Sequence, residues 1–341
     1  MKRFLFLIIS CAVSIQLSAG AGFFNTLFGD GDHEFICYSR IHRAYYLAIF
    51  GAVILLGIII YSRYRIKKRA AEKLAIQNHI IEDQNKGILD SIRYASRMQE
   101  ALKPEESTVR SILPESFFYL RPRDIVSGDF YFVDSANENG KNKIVLAAID
   151  CTGHGVPGAF LTFIGHNALR KAIETHGPGN PSKLLEAMNA EVKNTLGQQR
   201  SGNELNDGME IGLCIYDPSA KTIEYAGAGM SLSLFRSGKF EEIKAAKCTV
   251  GSVQEHVKEA PPTHKVQLSD GDSFYLNSDG IADQFGGKEG KKFRREQLRN
   301  VLAEIQPMKM PDQRKYVEET MSAWMKGFEQ TDDMLLIGVR V

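Results

Sequence analysis

KIVLAAIDCTGHGVPGAF, residues Lys143–Phe160, joins an apolar β-branched run to a carboxylate, a glycine loop and the start of an apolar helix. Lys143–Ile149 reads as a strand, and Asp150 stands where it ends. Gly153, Gly155 and Gly158 match GxGxxG after a strand and before a helix, so a dinucleotide-binding unit has to be weighed. That unit needs, after its helix, another parallel strand ending in an acid. Here Gly177-Pro178-Gly179-Asn180-Pro181 leads straight into a second helix, and the chain contains no GxxxxGK[ST]. The doubly wound reading falls.

Further runs rich in β-branched and aromatic residues predict strands at Asp129–Val133, Glu210–Tyr216, Thr222–Ala226, Leu232–Phe235, Ser273–Asn277 and Met334–Val341. Apolar spacing of three and four predicts helices at Ala159–Thr175, Ser182–Leu196, Arg295–Glu304 and Asp312–Gly327. Many strands with helices segregated in pairs point to an α+β layered sandwich over residues 112–341. No internal repeat is visible.

Aspartates recur beside glycine at the strand ends: Asp129 after Gly128, Asp150, Asp279 before Gly280, and the pair Asp332-Asp333 ahead of Met334. A strand delivering a carboxylate into a glycine loop holds it rigidly, and glycine admits close backbone approach. Singly, each Asp reads as a turn former. Together they form a set of oxygen donors suited to hard cations such as Mg²⁺ or Mn²⁺. His154 in the glycine loop reads either as a structural hydrogen-bond partner or as a proton donor or phosphate contact. Cys151 and Cys214 read as small core residues.

These residues bring a resemblance with them. RPRDIVSGDFYF (Arg121–Phe132), AIDCTGHGVPGAF (Ala148–Phe160), DGMEIGLCIY (Asp207–Tyr216), SDGIADQFGG (Ser278–Gly287) and TDDMLLIGV (Thr331–Val339) look like the successive motifs of the SpoIIE-like branch of the PPM (protein phosphatase 2C-like) metal-dependent serine/threonine phosphatases. ILDSIRYASRMQEAL (Ile88–Leu102) resembles the helix that precedes this domain in membrane-anchored relatives, especially of Bacteroidetes type. The resemblance implies an α-β-β-α sandwich with two Mn²⁺ or Mg²⁺ ions between its sheets. It implies that Asp150 bridges them, that Asp279 and Asp332 complete one site, and that the Cys151 carbonyl with Asp129 serves the other. Asp333 substitutes if the last motif is offset by one. The implied chemistry is attack by a metal-activated water, with Asp150 and Asp279 indispensable and no covalent phosphoenzyme.

The sequence departs from the family pattern at Cys151, where glycine is commonest, at Met230, where histidine is frequent, and at Leu335, where threonine is frequent. His154 lies two positions beyond the histidine regarded as the general acid. The implied substrate is a phosphoserine or phosphothreonine on a signalling protein, in relatives commonly a STAS-domain anti-sigma antagonist. The alternative is a non-catalytic module that keeps the fold and binds a phosphoprotein.

The N-terminal third reads differently. Lys2 and Arg3 precede an apolar run ending near Ser18-Ala19-Gly20-Ala21, which predicts a signal peptide over 1–21. Residues 22–43 form a short exported segment. Residues 44–61, AYYLAIFGAVILLGIIIY, carry no charge and predict a transmembrane helix edged by Tyr45, Tyr46 and Tyr61. Arg63, Arg65, Lys67, Lys68, Arg69 and Lys73 follow, whereas residues 22–43 hold three acids and two bases. The positive-inside rule then puts the rest of the chain in the cytoplasm, at a bacterial inner membrane.

Residues 62–111 predict a helical linker closed by Pro104 that leads directly into the strand carrying Asp129. Leu74, Ile81, Ile88, Ala95 and Leu102 form one apolar heptad column, but Asn78, Asn85 and Gln99 stand among its polar partners. That pattern reads as a shallow coiled coil supporting a homodimer, or as a solvated spacer.

Composition limits the rest. Across 341 residues, 43% are apolar and 24% charged, close to the globular average, which excludes fibrous and wholly disordered classes. A net charge of +1 supplies no global field toward nucleic acid, and no nucleic-acid partner is expected. Five cysteines without CxxC spacing exclude a disulfide framework or zinc knuckle.

Overall fold

The computed structural model describes residues 32–138, 140–197, 207–252 and 260–341. The expected signal peptide lies outside them, as does the start of the exported segment. The chain divides into two units, residues 1–84 and 85–341.

In the first unit the described residues form one element, the greater part of helix α1 (Asp32–Leu102). It runs without a break through the expected transmembrane stretch and linker, because no proline interrupts residues 32–103. An 18-residue window of this helix has mean hydropathy 2.3 with none of it buried, so by length and composition α1 can cross a membrane.

The second unit begins with the last turns of α1. It continues through α2 (Glu106–Ile112), β1 (Ser116–Arg121), β2 (Asp129–Glu138), β3 (Lys141–Cys151), α3 (Gly155–His176), α4 (Pro181–Leu196), β4 (Met209–Asp217), β5 (Thr222–Ala228), β6 (Leu232–Arg236), β7 (Lys239–Ile243), β8 (His264–Gln267) and β9 (Ser273–Asn277). It closes with α5 (Gly280–Asp283), the small ribbon β10 (Phe285–Gly286) and β11 (Lys291–Lys292), then α6 (Arg294–Glu304), α7 (Met310–Trp324) and β12 (Met334–Arg340). Two five-stranded sheets result. Sheet one has the order β2-β3-β4-β5-β8, and sheet two has the order β1-β12-β9-β6-β7. Every strand pair in both is antiparallel.

Strands buried on both faces explain the layering. In β4 every residue but Glu210 is buried, so each face of sheet one must be covered. Val145, Ala147, Ile149, Ile211 and Leu213 pack on Leu169, Leu184 and Met188 of α3 and α4. The alternate residues Leu146, Ala148 and Cys214 meet Phe274, Leu276, Leu335 and Ile337 of sheet two in the middle layer. The far face of sheet two, with Tyr275 and Leu336, is covered by Leu298, Leu302, Val317 and Met321 of α6 and α7. This is the expected α-β-β-α sandwich. Each fully buried aliphatic side chain in it contributes about 1.5–3 kcal/mol.

The expected elements all form, within a few residues of the expected ends for most of them. The short strands β1, β7 and β8 were not foreseen. The linker was also expected to lead directly into the strand bearing Asp129, and here the structure differs: α2 and β1 intervene. The linker helix nevertheless reaches that strand through space. Ile92, Ala95, Ser96, Gln99 and Leu102 form its half-buried face. Gln99 Nε2 donates to the Ser127 carbonyl at 2.8 Å and to Thr162 Oγ1 at 2.9 Å. The Ser127 N–H donates back to Gln99 Oε1 at 3.1 Å.

Candidate metal centre

β2 and β3 pair with Asp129 opposite Asp150, and β3 and β4 pair with Asp150 opposite Glu210. Opposed residues of an antiparallel ladder project to the same face, so three carboxylates stand in a row at one end of sheet one. Sheet two contributes Asp279, two residues past β9, and Asp332, two before the neighbouring β12. Those strand ends are locked together. The Ser278 N–H donates to the Leu335 carbonyl at 3.0 Å, and the Leu335 N–H donates to Ser278 Oγ at 3.0 Å.

Glycine permits the closeness. A Cβ on Gly280 would lie 1.9 Å from the Asp333 carbonyl oxygen, and one on Gly128 would lie 2.5 Å from the Gly153 carbonyl oxygen. Only a residue without a side chain lets the Asp129 loop, the Asp150 loop and the C-terminal loop meet. Asp333 seals the junction: it is buried, and its carboxylate accepts the Arg123 N–H and the Gly128 N–H, each at 2.6 Å. Asp332 is exposed, and its Oδ1 accepts the Asp333 N–H at 2.8 Å. Of the two candidates in the last motif, Asp333 is thus engaged in holding the loops, while Asp332 keeps an oxygen without a hydrogen-bond donor among the described residues.

The carboxylates repel one another. Burial, then the charge of Asp150, pushes Asp129 well above the ordinary carboxylate range, opposed by a hydrogen bond with Ser278. Burial and the charges of Asp279 and Asp332 raise Asp150 to about 7. Asp279 is raised by burial and Asp332, and Glu210 by burial and Asp279, each offset in part by the Arg295 guanidinium. Asp129 Oδ2 is buried with no hydrogen-bond partner.

The sequence-predicted residues separate into two sets. Asp129, Asp150, Asp279 and Asp332 come together, with Asp333 beneath them. Cys151 sits at the end of β3 with its thiol buried and raised far up by burial and by Asp129, which makes it inert. Its carbonyl oxygen lies 3.4 Å from where a Gly128 Cβ would be, so it faces the same junction. His154 is engaged elsewhere: its Nδ1 lies 2.9 Å from Asp124 Oδ2, a pair fixing the start of α3 against the β1–β2 loop.

Sequence reasoning missed Glu210 and Arg295. Glu210 had a signal, since it is the one charge within residues 209–216 and stands in register with Asp150.

Among the described residues no three His, Cys, Asp or Glu side chains are grouped in a ready coordination geometry. The donor chemistry nevertheless fits a hard divalent cation. All the groups are oxygens, one buried carboxylate oxygen is orphaned, and the raised pKa values mark a concentration of negative charge that a cation offsets. The backbone registers that bring the carboxylates together are fixed by both sheets.

The comparisons with known proteins agree with this geometry. Residues 140–341 match the family model described as Stage II sporulation protein E (SpoIIE). The chain belongs to the SpoIIE-type PPM phosphatase family. The SiaA-PP2C domain of Pseudomonas aeruginosa is similar at 30% identity and TM-score 0.66, covering 75% of this chain and 98% of that domain. A structure of the PP2C phosphatase domain with a fragment of the regulatory domain of SpoIIE from Bacillus subtilis is similar at 19% identity and TM-score 0.52, covering 67% of this chain and 63% of that one. At that identity the likeness concerns the fold. No curated protein matches the chain.

Proposed function

We propose that the chain is an active metal-dependent phosphoprotein phosphatase, anchored in a bacterial inner membrane with its catalytic domain on the cytoplasmic side. One observation carries the catalytic part: Asp129, Asp150 and Glu210 from one sheet and Asp279 and Asp332 from the other converge on one cluster that includes an orphaned buried oxygen. A module that merely bound phosphoproteins would gain nothing from so much crowded negative charge.

The residues that would hold two Mn²⁺ or Mg²⁺ ions are Asp150, shared, with Asp279 and Asp332 toward one ion and Asp129 and the Cys151 carbonyl toward the other. Such ions supply Lewis acidity that makes water a usable nucleophile near neutral pH. The protein's own part is to hold the carboxylates rigidly through the Asp333 and Ser278 hydrogen bonds, and to leave Asp279 and Glu210 exposed at the cleft mouth. In this reading no side chain is a nucleophile, and His154 has no part in proton transfer. The substrate is a phosphoserine or phosphothreonine on a signalling protein, with a STAS-domain anti-sigma antagonist as first candidate from the family resemblance. The exposed column Leu74, Ile81 and Ile88 supports a homodimer through the linker helix.

The purified full chain is expected to hydrolyse p-nitrophenyl phosphate with Mn²⁺ or Mg²⁺ and not in EDTA, and Asp150→Asn or Asp279→Asn is expected to abolish turnover. Undiminished hydrolysis in EDTA overturns the reading.

A further inference from the structure

Beside the carboxylate cluster the surface opens into a groove with two connected depressions of about 620 and 980 Å³, open solvent included. Both are bordered by Glu210, Ser231, Glu242 and Arg295. Asp279 lies in the first, and Lys244 and Lys247 line the second. Arg295 is thus the cation common to both halves.

Three features set it apart from other surface cations. Its position is fixed by its neighbours: Phe293 is buried edge-on against Trp324, with ring centroids 5.2 Å apart, and its N–H donates to the Gln284 carbonyl at 2.9 Å. Between that anchor and Arg295, Arg294 has φ 71°, left-handed backbone that disfavours a long side chain, and such strain is concentrated where function requires it. Two of the other cations nearby are engaged. Arg299, one turn along α6, lies 4.6 Å over the Phe240 ring, and Lys292 donates to Asp283 at 2.8 Å. Among the described residues, by contrast, no acceptor receives a hydrogen bond from Arg295. Its charge is felt at the cluster, where it offsets the upward shift of both Asp279 and Glu210.

A guanidinium presents donors in a planar fork that fits two phosphoryl oxygens at once. Fixed at a carboxylate cluster but unpaired with it, such a group suits an anion arriving from the groove. Resting on the phosphatase reading above, we propose that Arg295 binds the phosphoryl oxygens of the substrate at the mouth of the carboxylate cluster. It orients the phosphorus toward the cluster and screens the dianion from Asp279 and Glu210.

The test uses the full chain in detergent with Mn²⁺, comparing wild type, Arg295→Ala, Arg295→Lys and the control Lys247→Ala, each checked for folding by circular dichroism melting. Orthophosphate binding, read by calorimetry, is expected to weaken at least tenfold in Arg295→Ala, to recover in part in Arg295→Lys, and to stay within twofold in Lys247→Ala. The KM for a phosphoserine peptide is expected to rise by the same factor with kcat changed less than threefold. Mn²⁺ affinity is expected to be unchanged or tighter, since a nearby positive charge has been removed.

Orthophosphate binding equal in Arg295→Ala and wild type, or absent from wild type, overturns the proposal. So does an equal loss in Lys247→Ala, which would make Arg295 one part of a diffuse basic field. So does a matching loss of Mn²⁺ affinity. A wild-type chain that binds orthophosphate through Arg295 yet hydrolyses no phosphoester sinks the phosphatase reading and leaves Arg295 as an anion-binding residue.

Discussion

Asp150 is the residue at which stability and function oppose each other. Facing Asp129 on one side and Glu210 on the other, it holds its proton up to about pH 7, because burial and the charges of Asp279 and Asp332 disfavour ionisation. An unfolded chain releases that proton near the ordinary aspartate value of 3.8. Between those values the folded state binds the extra proton, so in metal-free protein this group lowers stability as pH rises, by at most about 1.4 kcal/mol per pH unit. In EDTA, melting temperature is expected to fall from pH 5 to pH 7.5 more steeply in wild type than in Asp150→Asn, and the variant is expected to be the more stable at pH 7.5 while lacking activity. Parallel slopes in the two proteins would remove the argument.

Residue identity was readable in the sequence where chemistry and turn coincide, as in Asp279-Gly280. It was ambiguous between Asp332 and Asp333, because only the hydrogen bonds from Arg123 and Gly128 reveal which carboxylate holds loops. Arg295 was invisible because an arginine opening a helix is unremarkable until its lack of a partner can be seen.

Among the elements, the end of α1 shows the linker's periodicity meeting the chain's own domain. The heptad column was legible, but it divides: Leu74, Ile81 and Ile88 are exposed, whereas Ala95 and Leu102 are half-buried on the phosphatase domain. Gln99, expected among the polar positions of a coiled coil, instead exchanges hydrogen bonds with the backbone of Ser127, whose hydroxyl in turn accepts the Asp129 N–H at 3.1 Å. Gln99→Leu leaves the Ser127 N–H and carbonyl without those partners, at a cost of about 1–3 kcal/mol. Hydrogen exchange at Ser127 and Asp129 is expected to speed up in Gln99→Leu and to stay unchanged in Asn78→Leu and Asn85→Leu, which lie on the far stretch of the helix. Unchanged protection in Gln99→Leu would mean that the contact does not hold the loop. The strands β1, β7 and β8 escaped sequence reading for a related reason. They are short, and all three are edge strands, β1 and β7 of sheet two and β8 of sheet one; half-exposed edges lack the continuous apolar signal of β3 and β4.

For the whole molecule, the apolar window of α1 raises the question of what covers it. Side chains such as Leu47, Val53, Leu55 and Ile60 are 60–71% exposed, and a contiguous apolar surface of this size is not left in water. The uncharged stretch of residues 44–61 rises 1.5 Å per residue, about 27 Å in all, close to a bilayer's hydrocarbon thickness of about 30 Å. The apolar stretch itself was plain from composition alone, since hydropathy needs no knowledge of contacts. In the proposed topology the direction of crossing is set by the six bases within Ser62–Lys73, which resist transfer across a membrane. The full chain is therefore expected in the membrane fraction. A fluorescent protein fused after Val341 is expected to glow, and an alkaline phosphatase fused there is expected to be inactive. Removing residues 44–61 is expected to release the protein to the soluble fraction with its metal-dependent hydrolysis intact, because the carboxylate cluster and groove are built wholly from residues 128–333. An active alkaline phosphatase fusion would put the cluster on the opposite side of the membrane, away from cytoplasmic phosphoproteins, and the proposed class of substrate would fall with the topology.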